Sequence, residues 1–361
     1  MKRLSVQRTP DFGRFLTAVR RGTPDVVPFI ELIVDDSILE YILEEPLVPP
    51  GTPEDQVMET YVRRRLRCLA DLGYDHSEIS CNHGLGHGYK TVVGDDTALY
   101  SHGQRTWVDE NHGAIETWED FEKYPWPTCD AIDYSAVDLA ARNLPEGMML
   151  TAAAGGGVLE HAMWIMGYMP FSYALFDEPS LINAVFNRIG EILLAAVENL
   201  ASHPSVGAIF EGDDMGHKHG LLVSAEVIRE HALPWHEKMA AAAHAHSKPY
   251  ILHACGNLTE IMDDLIDDCR IDAKHSFEDV IMPVAEVKHR WGDRIAICGG
   301  VDVDKLSRWP EEDLRAYVRK ILEDCAPGGG YLLGSGNSVP NYIPAENFLA
   351  MLDEGVRFSG G

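Results

Sequence analysis

His253-Ala254-Cys255 is the pair in this 361-residue chain whose residue types and spacing most directly suggest chemistry. Residues two apart on a strand point the same way, so an imidazole and a thiol there can converge on one ion. Imidazole nitrogen with thiolate sulfur suits Zn²⁺. The competing reading is a half-buried cysteine beside a hydrogen-bonded histidine. A catalytic zinc needs three protein ligands and an open fourth position. His275, which ends the next apolar run, could supply the third, and Glu211, which ends the preceding one, is its rival.

Glu211-Gly212-Asp213-Asp214 crowds three carboxylates together. Like charges at short range raise at least one pKa and so provide a general acid or base near neutrality. Glu211, Asp213 and Asp214 are therefore the candidate catalytic groups. One of the three is expected to hold backbone amides instead, and Asp214 could alternatively orient a metal-bound histidine. Glu31, His76, Asp302 and Asn337 sit at or near the ends of other apolar runs and are expected to face substrate. Gly155-Gly156-Gly157 could cradle an anion or serve a tight turn. Cys298, inside an apolar run, reads as a core thiol.

Eight short β-like runs must position these groups: 27–32, 74–80, 148–154, 207–211, 249–253, 271–275, 295–299 and 331–334. Amphipathic helical stretches alternate with them, including 54–72, 179–203, 224–246 and 311–325, the third carrying Pro234 as a break or kink. Alternating β and α with eight strands predicts a (β/α)₈ barrel, a TIM barrel, as one domain over residues 1–361. Barrel active sites lie at the carboxyl ends of the strands, where the polar residues above fall. A Gly- and His-rich stretch, about 81–118, interrupts the rhythm and reads as a β-hairpin or lid carrying His83, His87, His102 and His112.

Composition narrows the partners. Lys plus Arg number 30 against 57 Asp plus Glu, a formal charge of −27, which disfavours nucleic acid and anionic membranes. No apolar run approaches the roughly 20 residues a membrane span needs, and the basic start lacks the apolar segment of a secretory signal. Seven scattered cysteines suit reduced thiols, and a cytoplasmic location is expected. The sequence leaves a homodimer open.

Several motifs in order resemble the uroporphyrinogen decarboxylase superfamily. RFLTAVRRGTPDVVPFIEL looks like its opening helix, turn and first strand; FEGDDMG and ILHACGNLTEIMDDLI resemble its Asp-bearing and His-x-Cys-Gly-Asn strands. ICGGVDVDKL and GYLLGSGNSVPNYIPAENFLAML resemble its last two strands and closing helix. The decarboxylase itself carries substrate-binding arginines after the first strand, where this chain has Glu31-Leu32-Ile33-Val34-Asp35-Asp36, and a histidine where Asn337 stands.

The resemblance to the superfamily's methyltransferases, which hold zinc through His-x-Cys and a later Cys, implies His253 and Cys255 as zinc ligands. That later Cys is replaced here by Asn337, so another third ligand is needed: His275 first, with Glu211 or Glu278 as alternatives. The activity implied is zinc-dependent methyl transfer between a small methylated substrate and a corrinoid. Because the chain has no Asp-x-His-x-x-Gly, the corrinoid would arrive on a partner protein. The rivals are a metal-free decarboxylase or lyase of the same fold and a non-catalytic binding protein.

Overall fold

The computed structural model describes residues 4–5, 7–96, 103–109 and 112–359. Seven parallel strands form one curled sheet in the order His76–Ser80, Met149–Ala153, Val206–Gly212, Tyr250–His253, Ala273–His275, Ala296–Cys298, Tyr331–Leu332. Every strand except the first follows its sheet neighbour in the chain through a helical crossover, the (β/α)₈-barrel pattern. The eighth expected run, 27–32, differs: it is an extended segment bridged in parallel at Phe29 to Leu333. The Leu333 carbonyl accepts from Ile30 N–H and the Pro28 carbonyl from Leu333 N–H, each at 2.9 Å. Pro28 has no N–H to give, which helps keep the segment short of a full ladder.

Side chains at alternate strand positions fill the lumen. Ile30, Ala208, Phe210, Ile251, Ala273, Ala296, Cys298 and Leu332 form one buried cluster there. The helix Phe12–Val19 adds Phe12, Phe15, Ala18 and Val19 to that cluster and plugs the amino end of the barrel. A Cβ on Gly207 would stand 2.1 Å from the Phe12 ring, so only glycine lets the plug seat. Cys298 is fully buried in this packing.

The 24-residue helix Pro179–Ser202 is long and apolar enough to cross a membrane by length and composition alone, a test that buried core helices also pass. Its buried face, including Leu181, Val185, Phe186, Ile189 and Leu193, packs on the helices Val158–Met166 and Leu233–Ala245. Regular α-helix is interrupted just before Pro234, where a break or kink is expected. A π-helical turn, Ile228–Ala232, precedes Leu233–Ala245, and the wider turn absorbs the missing proline N–H. The 81–118 insertion contains the expected hairpin, Thr91–Asp96 paired antiparallel with Gly103–Val108. His102 lies outside the described residues.

Candidate metal centre

Adjacent parallel strands carry His253 and His275 in register, both pointing into the carboxyl end of the barrel. Cys255 follows two residues beyond His253, and the Asp214 carboxylate reaches over from the end of Val206–Gly212. Cys255 Sγ is 3.5 Å from His253 Nε2, and Asp214 Oδ1 is 3.7 Å from the same nitrogen. Asp214 Oδ1 also accepts the Cys255 N–H at 2.7 Å, which fixes the carboxylate. Among the described residues, Asp214, His253 and Cys255 form a group whose ligand atoms all lie within 4.8 Å of one another.

This donor set fits zinc. Ligand bonds of about 2.0–2.3 Å give a tetrahedron with edges of roughly 3.3–3.8 Å, which both separations match. Sulfur, nitrogen and oxygen together suit a borderline-soft ion. Burial, then the Asp214 charge, pushes the Cys255 thiol up to about 12. Burial holds the His253 imidazole near 4, so it is neutral and able to ligate. Asn337 donates its amide to Cys255 Sγ at 3.2 Å.

His275 does not join this group. Its Nδ1 lies 2.8 Å from Nδ1 of His253, on the ring edge away from Cys255. The carboxylate row also divides. Glu211 accepts from the N–H groups of Ala154 (2.9 Å) and Gly155 (3.2 Å), and burial raises it to about 7. Asp213 accepts from Leu159 (3.1 Å) and Glu160 (3.0 Å) at the start of Val158–Met166 and pairs with buried His236 at 2.9 Å. Two carboxylates therefore hold backbone, and Asp214 faces the mouth.

His76 is buried low in the barrel, its Nδ1 bonded to Thr151 Oγ1 at 2.9 Å and its ring 4.6 Å from Phe15. It does not reach the mouth. Buried Glu31 is tied to Ser335 through N (2.8 Å) and Oγ (2.5 Å). Asp302 caps Val303–Arg308 and accepts from Asp279 N–H at 3.1 Å. Asp302 and Asn337 do border one cleft of about 880 Å³, which Glu278, Trp309 and Tyr342 also line. Its charged walls are Glu278, Asp279, Asp302 and Asp304 against Lys305.

Three groups escaped the sequence reading. Lys274, fully buried between two lumen-facing residues, donates to the carbonyls of Ala254, His275 and Ser276 at 2.8–3.2 Å and places a cation behind Cys255. Glu160 is pushed up to about 8 by burial, then by the Asp213 and Asp214 charges, and keeps its proton at neutral pH. His161 and His83 both donate through Nε2 to the Gly155 carbonyl, at 2.9 and 3.0 Å. His161 Nδ1 takes the Tyr89 hydroxyl, so the insertion is anchored on the glycine loop. His83 is thus buried, while His87 and His112 are exposed. A Cβ on Gly157 would lie 2.0 Å from Asp213 Cβ, and the Gly155 and Gly157 amides are taken by Glu211 and Glu160. The glycine run serves close packing. Polar side chains three and four residues beyond it were the available signal for Glu160 and His161.

The profile of the uroporphyrinogen decarboxylase (URO-D) family matches residues 111–357. The uroporphyrinogen decarboxylase of Thioalkalivibrio sulfidiphilus (strain HL-EbGR7) is 35% identical over 71 residues, 20% of this chain and 20% of that protein. That of Ralstonia nicotianae (strain ATCC BAA-1114 / GMI1000) is 36% identical over 73 residues, 19% and 20% respectively. The match spans about a fifth of these relatives' length. A solved methyltransferase from Methanosarcina mazei superposes with TM-score 0.69 over 97% of this chain and 99% of its own, at 16% identity, a likeness of fold.

Proposed function

The chain belongs to the uroporphyrinogen decarboxylase family, and on that premise we propose that it is a zinc-dependent methyltransferase. It moves a methyl group between a small methylated substrate and a corrinoid carried by a partner protein. The observation that carries this reading is the convergence of Asp214, His253 and Cys255 on one point at the barrel mouth. The fold it shares with the Methanosarcina mazei methyltransferase is compatible with it.

Zinc bound by these three residues would supply Lewis-acid activation of the heteroatom that gains or loses the methyl group. The protein's own residues do the rest. Cys255 holds its sulfur against the Asn337 amide, whose N–H stabilises the thiolate. The substrate lies in the cleft beside Asn337, whose acidic walls repel a polycarboxylate such as a porphyrinogen. With Asn337 in place of a further thiol, oxygen- and nitrogen-methylated substrates are admitted as readily as thiols. Glu160 holds a proton beside Asp214 at neutral pH and is placed to give it, through that carboxylate, to the heteroatom that loses its methyl group. Asp213 and Glu211 keep the surrounding backbone in place.

The test incubates zinc-loaded protein with methylcobalamin, standing in for the protein-bound corrinoid, and a panel of small phenols, amines and thiols. Loss of the methylcobalamin absorbance that depends on zinc and disappears in Cys255→Ser is the expected result. The names of the matched relatives favour a second reading, a metal-free decarboxylase. Carbon dioxide release from an acidic substrate, unchanged in Cys255→Ser, would establish that reading instead.

A further inference from the structure

We infer that His275 is a positioning residue that selects the tautomer of His253, presenting Nε2 of His253 as a bare nitrogen toward Cys255 and Asp214. The inference rests on the zinc reading above and adds to it the residue that makes the imidazole a ligand. Two ring nitrogens 2.8 Å apart bond only if one carries a proton and the other does not. The opposite nitrogen of His253, Nε2, faces the Cys255 sulfur at 3.5 Å and the Asp214 oxygen at 3.7 Å. A nitrogen that ligates cannot keep its hydrogen, so the His253 proton must sit on Nδ1 and be donated to Nδ1 of His275.

That assignment fixes His275 in turn: its Nδ1 accepts, and its proton is on Nε2. The ring cannot easily swing into another role. It is fully buried, stands edge-on to Phe210 at 5.5 Å, and lies directly opposite His253 in the strand register. Its Nε2 edge is packed over Gly299, where a Cβ would come within 3.0 Å of that nitrogen and 2.3 Å of the Ser335 carbonyl. Glu31 pins the Ser335 peptide through N and Oγ. The support for the metal-facing nitrogen thus runs from His253 to His275, with the Glu31-clamped Ser335 loop packed behind.

The experiment measures the zinc dissociation constant by chelator competition for wild type, His275→Leu and His275→Asn, alongside X-ray absorption at the zinc edge on wild type. Asparagine keeps an oxygen acceptor near the place of Nδ1, and leucine does not. His275→Leu is expected to weaken zinc roughly 10- to 100-fold, the usual loss when such an outer partner goes. His275→Asn should recover most of that affinity, and wild type should show one imidazole and one sulfur around zinc. Leucine and wild type binding alike, asparagine failing as badly as leucine, or a second imidazole on the metal would each overturn the assignment. Should His275→Leu not fold, the imidazole count and His275→Asn decide it. A wild type that binds no zinc would remove the zinc reading itself. Tight zinc binding indifferent to His275 would remove this inference alone.

Discussion

The side-chain amide of Asn337 donates to Cys255 Sγ across 3.2 Å, joining the last barrel loop to the thiol. A charge-assisted bond of this kind is worth about 1.5–3 kcal/mol. Asn337→Ala is therefore expected to raise the thiol pKa further and weaken zinc about tenfold, read by chelator competition at fixed pH. Asn337→Cys puts a second sulfur at the same position and should tighten zinc by at least about tenfold. Unchanged affinity in both variants would show that the amide is only packed against the sulfur.

Asp214 contributes a charge to the cluster and an acceptor to the Cys255 N–H. Asp214→Asn keeps the acceptor and removes the charge. The variant should fold normally, with a melting temperature within about 2 °C of wild type, since its side chain is partly exposed. Zinc affinity should fall more than about tenfold. Equal zinc binding by both proteins would remove Asp214 from the ligand set.

Asp213 separates from its neighbour in the opposite direction. It is buried against His236 and the first amides of Val158–Met166. Asp213→Ala leaves an imidazole and two N–H groups unpaired, so unfolding in urea should show a loss of about 3–5 kcal/mol. A variant that keeps its stability but loses turnover would assign Asp213 to the chemistry.

Glu31 sets a pH dependence of stability. Burial pushes its carboxyl up to about 8, with the Ser335 bonds opposing. The folded value lies above the unfolded one, so the stability it confers is full below about pH 4.5 and lost as pH rises through about 8. Glu31→Gln retains an acceptor for Ser335 N–H and a donor for its hydroxyl. Between about pH 6.5 and 8.5 its melting temperature should fall by roughly 2–5 °C less than that of wild type. Parallel melting curves would show that Glu31 ionises normally.

The strands were legible because each is a short apolar run bounded by Gly, Pro or polar residues, a pattern that survives without any partner. The helices Val158–Met166 and Tyr168–Asp177 were not, because their sequence is apolar on nearly every side and carries little periodicity. His253 and Cys255 were legible from strand alternation. The split between Asp213 and Asp214 was not. It is decided by the chain leaving the strand after Gly212, which turns one carboxylate to the helix layer and the next to the mouth. His275 was placed on the right strand end, but which nitrogen meets which depends on register and ring rotation.

Metal analysis of protein purified without chelators or added metal, beside Cys255→Ala and His253→Ala prepared identically, bears most directly on the whole account. One zinc per chain in wild type and substantially less in both variants is the predicted result. A zinc-free wild type, or variants that keep the metal, would contradict it.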